Sequence, residues 1–251
     1  GLVKGASKGE GLGNKFLSHI REVDAIVHLV RCFDSENIQH VNKKIDPIND
    51  LETIKTEILL ADIKQIEKKL EKNAKKKLTE KQIKLLNDIL AQLNKAERLD
   101  ISYDSESKKF ITEIGLISNK PYIIVCNVDE QSVKNGNNYT KLLKEKFPNQ
   151  KFVSICADIE SQIIDLKPEE RENYMKNIGL EKTGLDKLIT SGYDLLNLNT
   201  FFTSGPKETR AWTIKKNTVA QKAAGVIHSD FEKNFIRAEV VSYDDFDKYG
   251  S

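Results

Sequence analysis

The segment Cys126-Asn127-Val128-Asp129-Glu130 ends an apolar run, YIIVCNV, with a side-chain amide followed by acids. An Asn carboxamide donates and accepts hydrogen bonds, whereas a carboxylate only accepts. Asn127 with Glu130 three residues on therefore suits the edge of a nucleotide base. By themselves these residues read as a polar loop after a strand. A second stretch, Ser154-Ile155-Cys156-Ala157, ends the next apolar run, and its backbone amides could close over the same base. Ligands of open α/β sheets bind beyond the carboxyl ends of strands, which is where both stretches fall.

The opening residues, GLVKGASKGEGLGNKFL, hold five glycines and three lysines and look like a phosphate cradle. A P-loop needs G-x-x-x-x-G-K-[ST], and no Gly-Lys pair here is followed by Ser or Thr. Gly9, Gly11 and Gly13 alternate too closely for a dinucleotide fingerprint. On pattern alone the stretch is a flexible loop.

Residues 64–84 hold nine Lys against three Glu, a local excess of +6, with Lys72, Lys75, Lys76 and Lys77 at the centre. A solvated helix face is the ordinary explanation of such a run. The alternative is contact with RNA phosphates, each of which adds salt-dependent affinity. No aromatic residue interleaves, so base stacking has no support there. The histidines His19, His28, His40 and His228 lack metal-ligand spacing, and His28 falls inside an apolar run as a core residue would. Cys32, Cys126 and Cys156 each lie in or beside an apolar run and read as buried free thiols of a reducing cytoplasm.

Three short runs rich in Val and Ile, at 25–30, 122–128 and 151–157, suit parallel strands buried on both faces. Helical stretches between them, such as NKFLSHIREV, complete an α/β pattern. From Asp50 to about Leu99 there is neither Gly nor Pro, and apolar residues step by three and four. Leu51, Ile54, Ile58, Leu59, Ile63, Ile66 and Leu70 predict one amphipathic helix, and Ile83, Leu86, Leu90 and Leu93 a second. Thr79 with Gln82 forms a capping-box pattern at the start of the second. Two such helices joined by a polar turn make an antiparallel hairpin inserted into the α/β domain. From about Leu195, RAWTIKKNT and FIRAEVVSY read as strands around a short helix, TVAQKAAGVI, that Thr218 with Gln221 is expected to cap, a small α+β unit with a meagre core.

The 251 residues carry a formal charge of +2, so any nucleic-acid footprint must be local. No apolar run approaches the roughly 18 residues of a membrane span, and no signal-peptide pattern is visible. A cytoplasmic protein without membrane partners is expected.

Over essentially the whole chain these motifs resemble the YchF-type ATPases of the Obg family of translation-factor P-loop NTPases. The resemblance is carried by GLVKGASKGEGLGNKFLSHIREVDAIVHLVRCF, by CNVDE, and by RAWTI with AAGVIHSDFEKNFIRAEVVSYDDF. It implies a P-loop NTPase-type α/β domain over 1–49 and 114–194, a helical coiled-coil insertion over 50–113, and a TGS domain of β-grasp type over 195–251. It also implies ATP with Mg2+, ribosome or ribosomal RNA as partner, and a monomer.

Under the resemblance, Gly1 becomes the glycine whose amide faces the γ-phosphate, and the residues after it a mobile second switch. Leu2 falls where many GTPases carry the glutamine that orients the attacking water, a task a leucine cannot perform. CNVDE occupies the position of Asn-Lys-x-Asp, and Glu130 in place of aspartate spoils the guanine clamp, in keeping with a preference for ATP. Asn127 and the backbone at Val128 are then the base contacts. Ser154, Ile155 and Cys156 stand where the family has Ser-Ala-Lys and depart from it at Ile155 and Cys156. The P-loop, first switch and magnesium ligands would precede Gly1, and the TGS domain would lack its last strands. The chain alone is therefore expected not to hydrolyse ATP.

Overall fold

A computed structural model describes residues 12–40, 44–71, 76–95 and 104–250. They form two compact units, one running to Gly192 and the other starting at Tyr193.

In the first unit, β1 (Ile26–Arg31), β2 (Tyr122–Asn127) and β3 (Lys151–Ile155) form a parallel sheet in the order β1-β2-β3. The register sets Arg31 opposite Asn127, and Asn127 opposite Ile155. All three carboxyl ends thus finish at one edge. β2 is covered on both faces, with Ile123, Ile124, Val125 and Cys126 buried. β1 departs from the expectation of two-sided burial, because Val27 and Leu29 are 48% and 63% exposed. An apolar run reports strand propensity, whereas cover on each face depends on what packs there.

Helix α1 (Leu12–Glu22) precedes β1, as its amphipathic spacing predicts. α2 (Pro47–Leu70) starts at Asp46, whose carboxylate accepts from the Asn49 amide, with Pro47 in the first turn. α3 (Glu80–Asn94) opens with the expected capping box. Thr79 Oγ1 accepts from the Gln82 amide, and Gln82 Oε1 accepts from the Thr79 amide. α4 (Ser105–Ile114) is capped by Asp104 and ended by Gly115 at φ 70°, a left-handed stop that glycine adopts without strain.

Ile66 of α2, Leu85, Leu86, Ile89 and Leu93 of α3, and Ile111 and Ile114 of α4 share one core. α4 is thus a third contributor that the two-helix reading lacked. On α3 the buried stripe includes Leu85 and Ile89, while Ile83 and Leu90 are only half-buried. A second core links β2 with α5 (Asn138–Lys146), α6 (Ala157–Ile164) and α7 (Pro168–Asn177) through Ile124, Cys126, Leu143, Ile159, Ile163 and Met175.

α8 (Gly184–Leu195) leads to the second unit, where β4 (Leu198–Ser204) pairs antiparallel with β5 (Thr209–Lys215). β4 was not anticipated. α9 (Ala220–Ile227), α10 (Ser229–Lys233) and α11 (Tyr243–Tyr249) follow. The Thr218 hydroxyl donates to the Lys215 carbonyl instead of capping, and α9 starts from Val219. The strand expected over 235–243 does not form: 235–242 belong to no sheet, and Tyr243 begins α11. β-branched composition yields a strand only where a partner accepts its ladder bonds. No described residue of this unit is buried, which fits a two-stranded sheet with short helices.

Candidate nucleotide-base site

β2 and β3 bring the two sequence stretches together at the carboxyl edge of the sheet. Asn127 is the last residue of β2, half-buried, and its Oδ1 accepts from the Ala157 amide at 3.0 Å. That bond crosses from β2 to the first turn of α6 and fixes which end of the carboxamide faces inward. The acceptor is engaged, which orients the –NH2 donor away from α6.

Val128 is 2% exposed, and its amide donates to the Ile155 carbonyl at 2.9 Å. The expected backbone contact at Val128 is narrowed accordingly: its N–H already has a partner in Ile155 and the residue is buried. Asp129 then caps a short 3-10 turn, Glu130–Ser132, by accepting from the Ser132 amide at 2.9 Å. Glu130 is exposed at the start of that turn.

Ser154 lies within β3 opposite Cys126, Ile155 ends the strand, and Cys156 is buried at the entry to α6. Burial pushes the Cys156 thiol up, with smaller contributions from the Asp158 and Glu130 carboxylates. Cys32 and Cys126 are also buried, and the Cys32 thiol is pushed up by its hydrogen bond to Cys126 and by desolvation. All three cysteines are the buried thiols their apolar surroundings implied.

The third wall comes from residues that sequence reasoning missed. The Cys32 amide donates to the Asn127 carbonyl at 2.8 Å, carrying β1 one residue further along the site. Asn137, the cap of α5, donates from Nδ2 to the Cys32 carbonyl at 2.7 Å. Arg31 lies over the Phe33 ring and donates to the carbonyls of Phe33, Ser35 and Ile38. One guanidinium with five donors can organise such a loop. The local signal was an Arg ending an apolar strand, but its three acceptors cannot be read from spacing.

His28 is 9% exposed with its ring edge-on to Tyr122 at 5.0 Å, a core position as expected. Gly1 and Leu2 lie outside the described residues, as do Lys72 and Lys75. Lys76 and Lys77 are exposed in the link between α2 and α3. Lys81 is held by Asp104 at 3.0 Å and Glu106 at 2.8 Å, so α4 offsets part of the positive run.

A parallel α/β domain with its polar turns gathered at the carboxyl edge of the sheet defines the class of protein. Similarity to known proteins narrows that class to a family. The family model YchF-GTPase_C, described as a protein of unknown function (DUF933), matches residues 198–251. The chain is 45% identical over 255 residues to the ribosome-binding ATPase YchF of Bacillus subtilis (strain 168), covering 98% of this chain and 70% of that relative. It is 43% identical over 258 residues to the protein of the same name in Mycoplasma genitalium, covering 97% of this chain and 70% of that one. The solved structure of the Schizosaccharomyces pombe YchF GTPase superposes with a TM-score of 0.80 at 34% identity, over 98% of this chain and 70% of that structure. The chain belongs to the YchF family.

Proposed function

We propose that this chain carries the base-reading edge and the partner-facing elements of an ATP-binding, ATP-hydrolysing switch that works with the ribosome in the cytoplasm. The carrying observation is the geometry of Asn127: its carboxamide is locked by the Ala157 amide while Glu130 stands on the neighbouring turn. Guanine presents a ring N–H and an exocyclic amine to the aspartate of an Asn-Lys-x-Asp clamp, and adenine has neither donor at that edge. Glu130, one methylene longer, does not reproduce that clamp, which favours ATP over GTP. The Bacillus and Mycoplasma relatives carry ribosome-binding ATPase in their names, which supports the same reading.

The hydrolysis would be attack of water on the γ-phosphorus, with Gly1 as the γ-phosphate-sensing amide and Leu2 at the usual glutamine position. No G-x-x-x-x-G-K-[ST] sequence occurs in the 251 residues, so the chain on its own is expected not to turn ATP over. Among the described residues no group of three or more His, Cys, Asp or Glu side chains could hold a metal. No described helix is long and apolar enough to cross a membrane.

The test is Glu130→Asp in the full-length protein, with paired ATP and GTP titrations. The shorter acid should raise GTP affinity relative to ATP; an unchanged ratio would overturn the assignment of Glu130 to base reading.

A second reading is an RNA- or ribosome-binding module in which nucleotide only gates docking. It is favoured by the exposed Lys68, Lys76, Lys77 and Lys84 around the α2–α3 link.

A further inference from the structure

α8 begins at Gly184 directly against the end of β3. A Cβ on Gly184 would lie 2.6 Å from Ile155 Cγ2 and 2.9 Å from Ile155 Cβ, with Glu160 Oε1 at 2.8 Å. Gly184 is absent from the residues with left-handed backbone, so space, and not a special φ, demands the glycine here. The contact is held closed from both sides. The Glu160 carboxylate of α6 accepts from the Gly184 amide at 2.6 Å and the Leu185 amide at 3.2 Å. Buried Thr183 accepts from the Asp186 amide and donates its hydroxyl to the Asp186 carboxylate, completing the first turn of α8.

Ile155 is the residue on which the base edge depends. It stands opposite Asn127 in the register, and its carbonyl accepts the Val128 amide. Two residues later the Ala157 amide meets the Asn127 carboxamide. Moving Ile155 by a few tenths of an ångström therefore moves both hydrogen bonds that orient the polar groups of the site. Packed interiors transmit such shifts instead of absorbing them.

We propose that Gly184 is a positioning residue of the base site: the space left by its missing side chain seats Ile155, and Ile155 aims the Asn127 carboxamide at a purine nucleotide. The ligand class rests on the ATP-binding reading above; the steric relation is this structure's own.

The experiment compares Gly184→Ala, Ile155→Gly and the double variant in the full-length protein, titrating ATP and, separately, inorganic tripolyphosphate, which has no base. Gly184→Ala should weaken ATP about tenfold, the scale of overpacking by one methyl, and leave tripolyphosphate unchanged. Ile155→Gly removes both Ile155 clash partners, Cγ2 at 2.6 Å and Cβ at 2.9 Å, so the double variant should recover to within about threefold of Ile155→Gly alone. If Gly184→Ala fails to fold, recovery of folding and ATP binding in the double variant supports the steric seat, and no recovery overturns it. Wild-type ATP affinity in Gly184→Ala, or equal weakening of both ligands, overturns the positioning role alone. A wild-type protein that binds neither ATP nor GTP overturns the nucleotide reading, and this role falls with it.

Discussion

Asn127 Oδ1 accepts from the Ala157 amide at 3.0 Å, across 30 residues of sequence, and so joins the end of β2 to the start of α6. This one bond makes the carboxamide's two functions separable. Asn127→Asp keeps an oxygen for the Ala157 amide but has no N–H to offer a base. It should leave the unfolding midpoint near wild type and weaken ATP by about tenfold, the scale of one missing hydrogen bond. Asn127→Ala should remove both functions, with an added stability cost of about 1 kcal/mol. Calorimetric titration of ATP alongside urea unfolding distinguishes the two; equal destabilisation in both variants would contradict the assignment.

Asp62 is a buried carboxylate held from two sides. Its side chain is fully buried, with Oδ1 2.7 Å from Arg21 Nη1 and Oδ2 accepting from the Ser118 amide at 2.8 Å. Arg21 Nη1 also donates to the Gly115 carbonyl at 2.8 Å, so α1, α2 and the return from α4 meet there. Removing one member of a buried ion pair strands the other, at a cost of about 3–5 kcal/mol. Asp62→Ala should lower stability on that scale in urea melts. A loss below about 1 kcal/mol, the value of an exposed pair, would show that water replaces the carboxylate.

His28 makes stability depend on pH. Burial, reinforced by the positive Lys55, holds it down to about 4 from the ordinary 6.5. The native state thus keeps the ring neutral while the unfolded chain takes up a proton. The stabilisation is fully present above pH 6.5 and declines progressively as pH falls toward 4, by about 3 kcal/mol in all. His28→Leu should flatten this limb of a urea-melt series between pH 6.5 and 4. An unchanged slope would place the acid sensitivity elsewhere.

The lysine link gives a prediction for the second functional reading. Replacing Lys75, Lys76 and Lys77 by Glu should weaken co-sedimentation with ribosomes and flatten its salt dependence, by about 0.7–0.9 in logarithmic slope for each phosphate no longer neutralised. No change in either quantity would reduce the run to a solvated surface. Lys81 serves as the internal control, because its charge is already answered by Asp104 and Glu106.

By itself the sequence determined the repeating local pattern. The three apolar runs became β1, β2 and β3, the three-and-four spacing became α2 and α3, and Thr79 with Gln82 became the capping box. It also put Asn127 and Glu130 at the end of the same strand, because that depends only on chain order. Periodicity and capping act over a few residues, and a linear reading captures them. Tertiary structure alone decided what each polar group meets. The Val128 amide turned inward to Ile155, Asn127 to Ala157, Arg21 to Asp62, and Gly184 settled against Ile155. It also decided that Leu29 faces outward and that 235–242 joins no sheet. These outcomes depend on partners brought close by folding, 94 residues apart for Arg21 and Gly115 and 105 for Asn137 and Cys32. A residue's type states which bonds it can make; packing selects which one it makes.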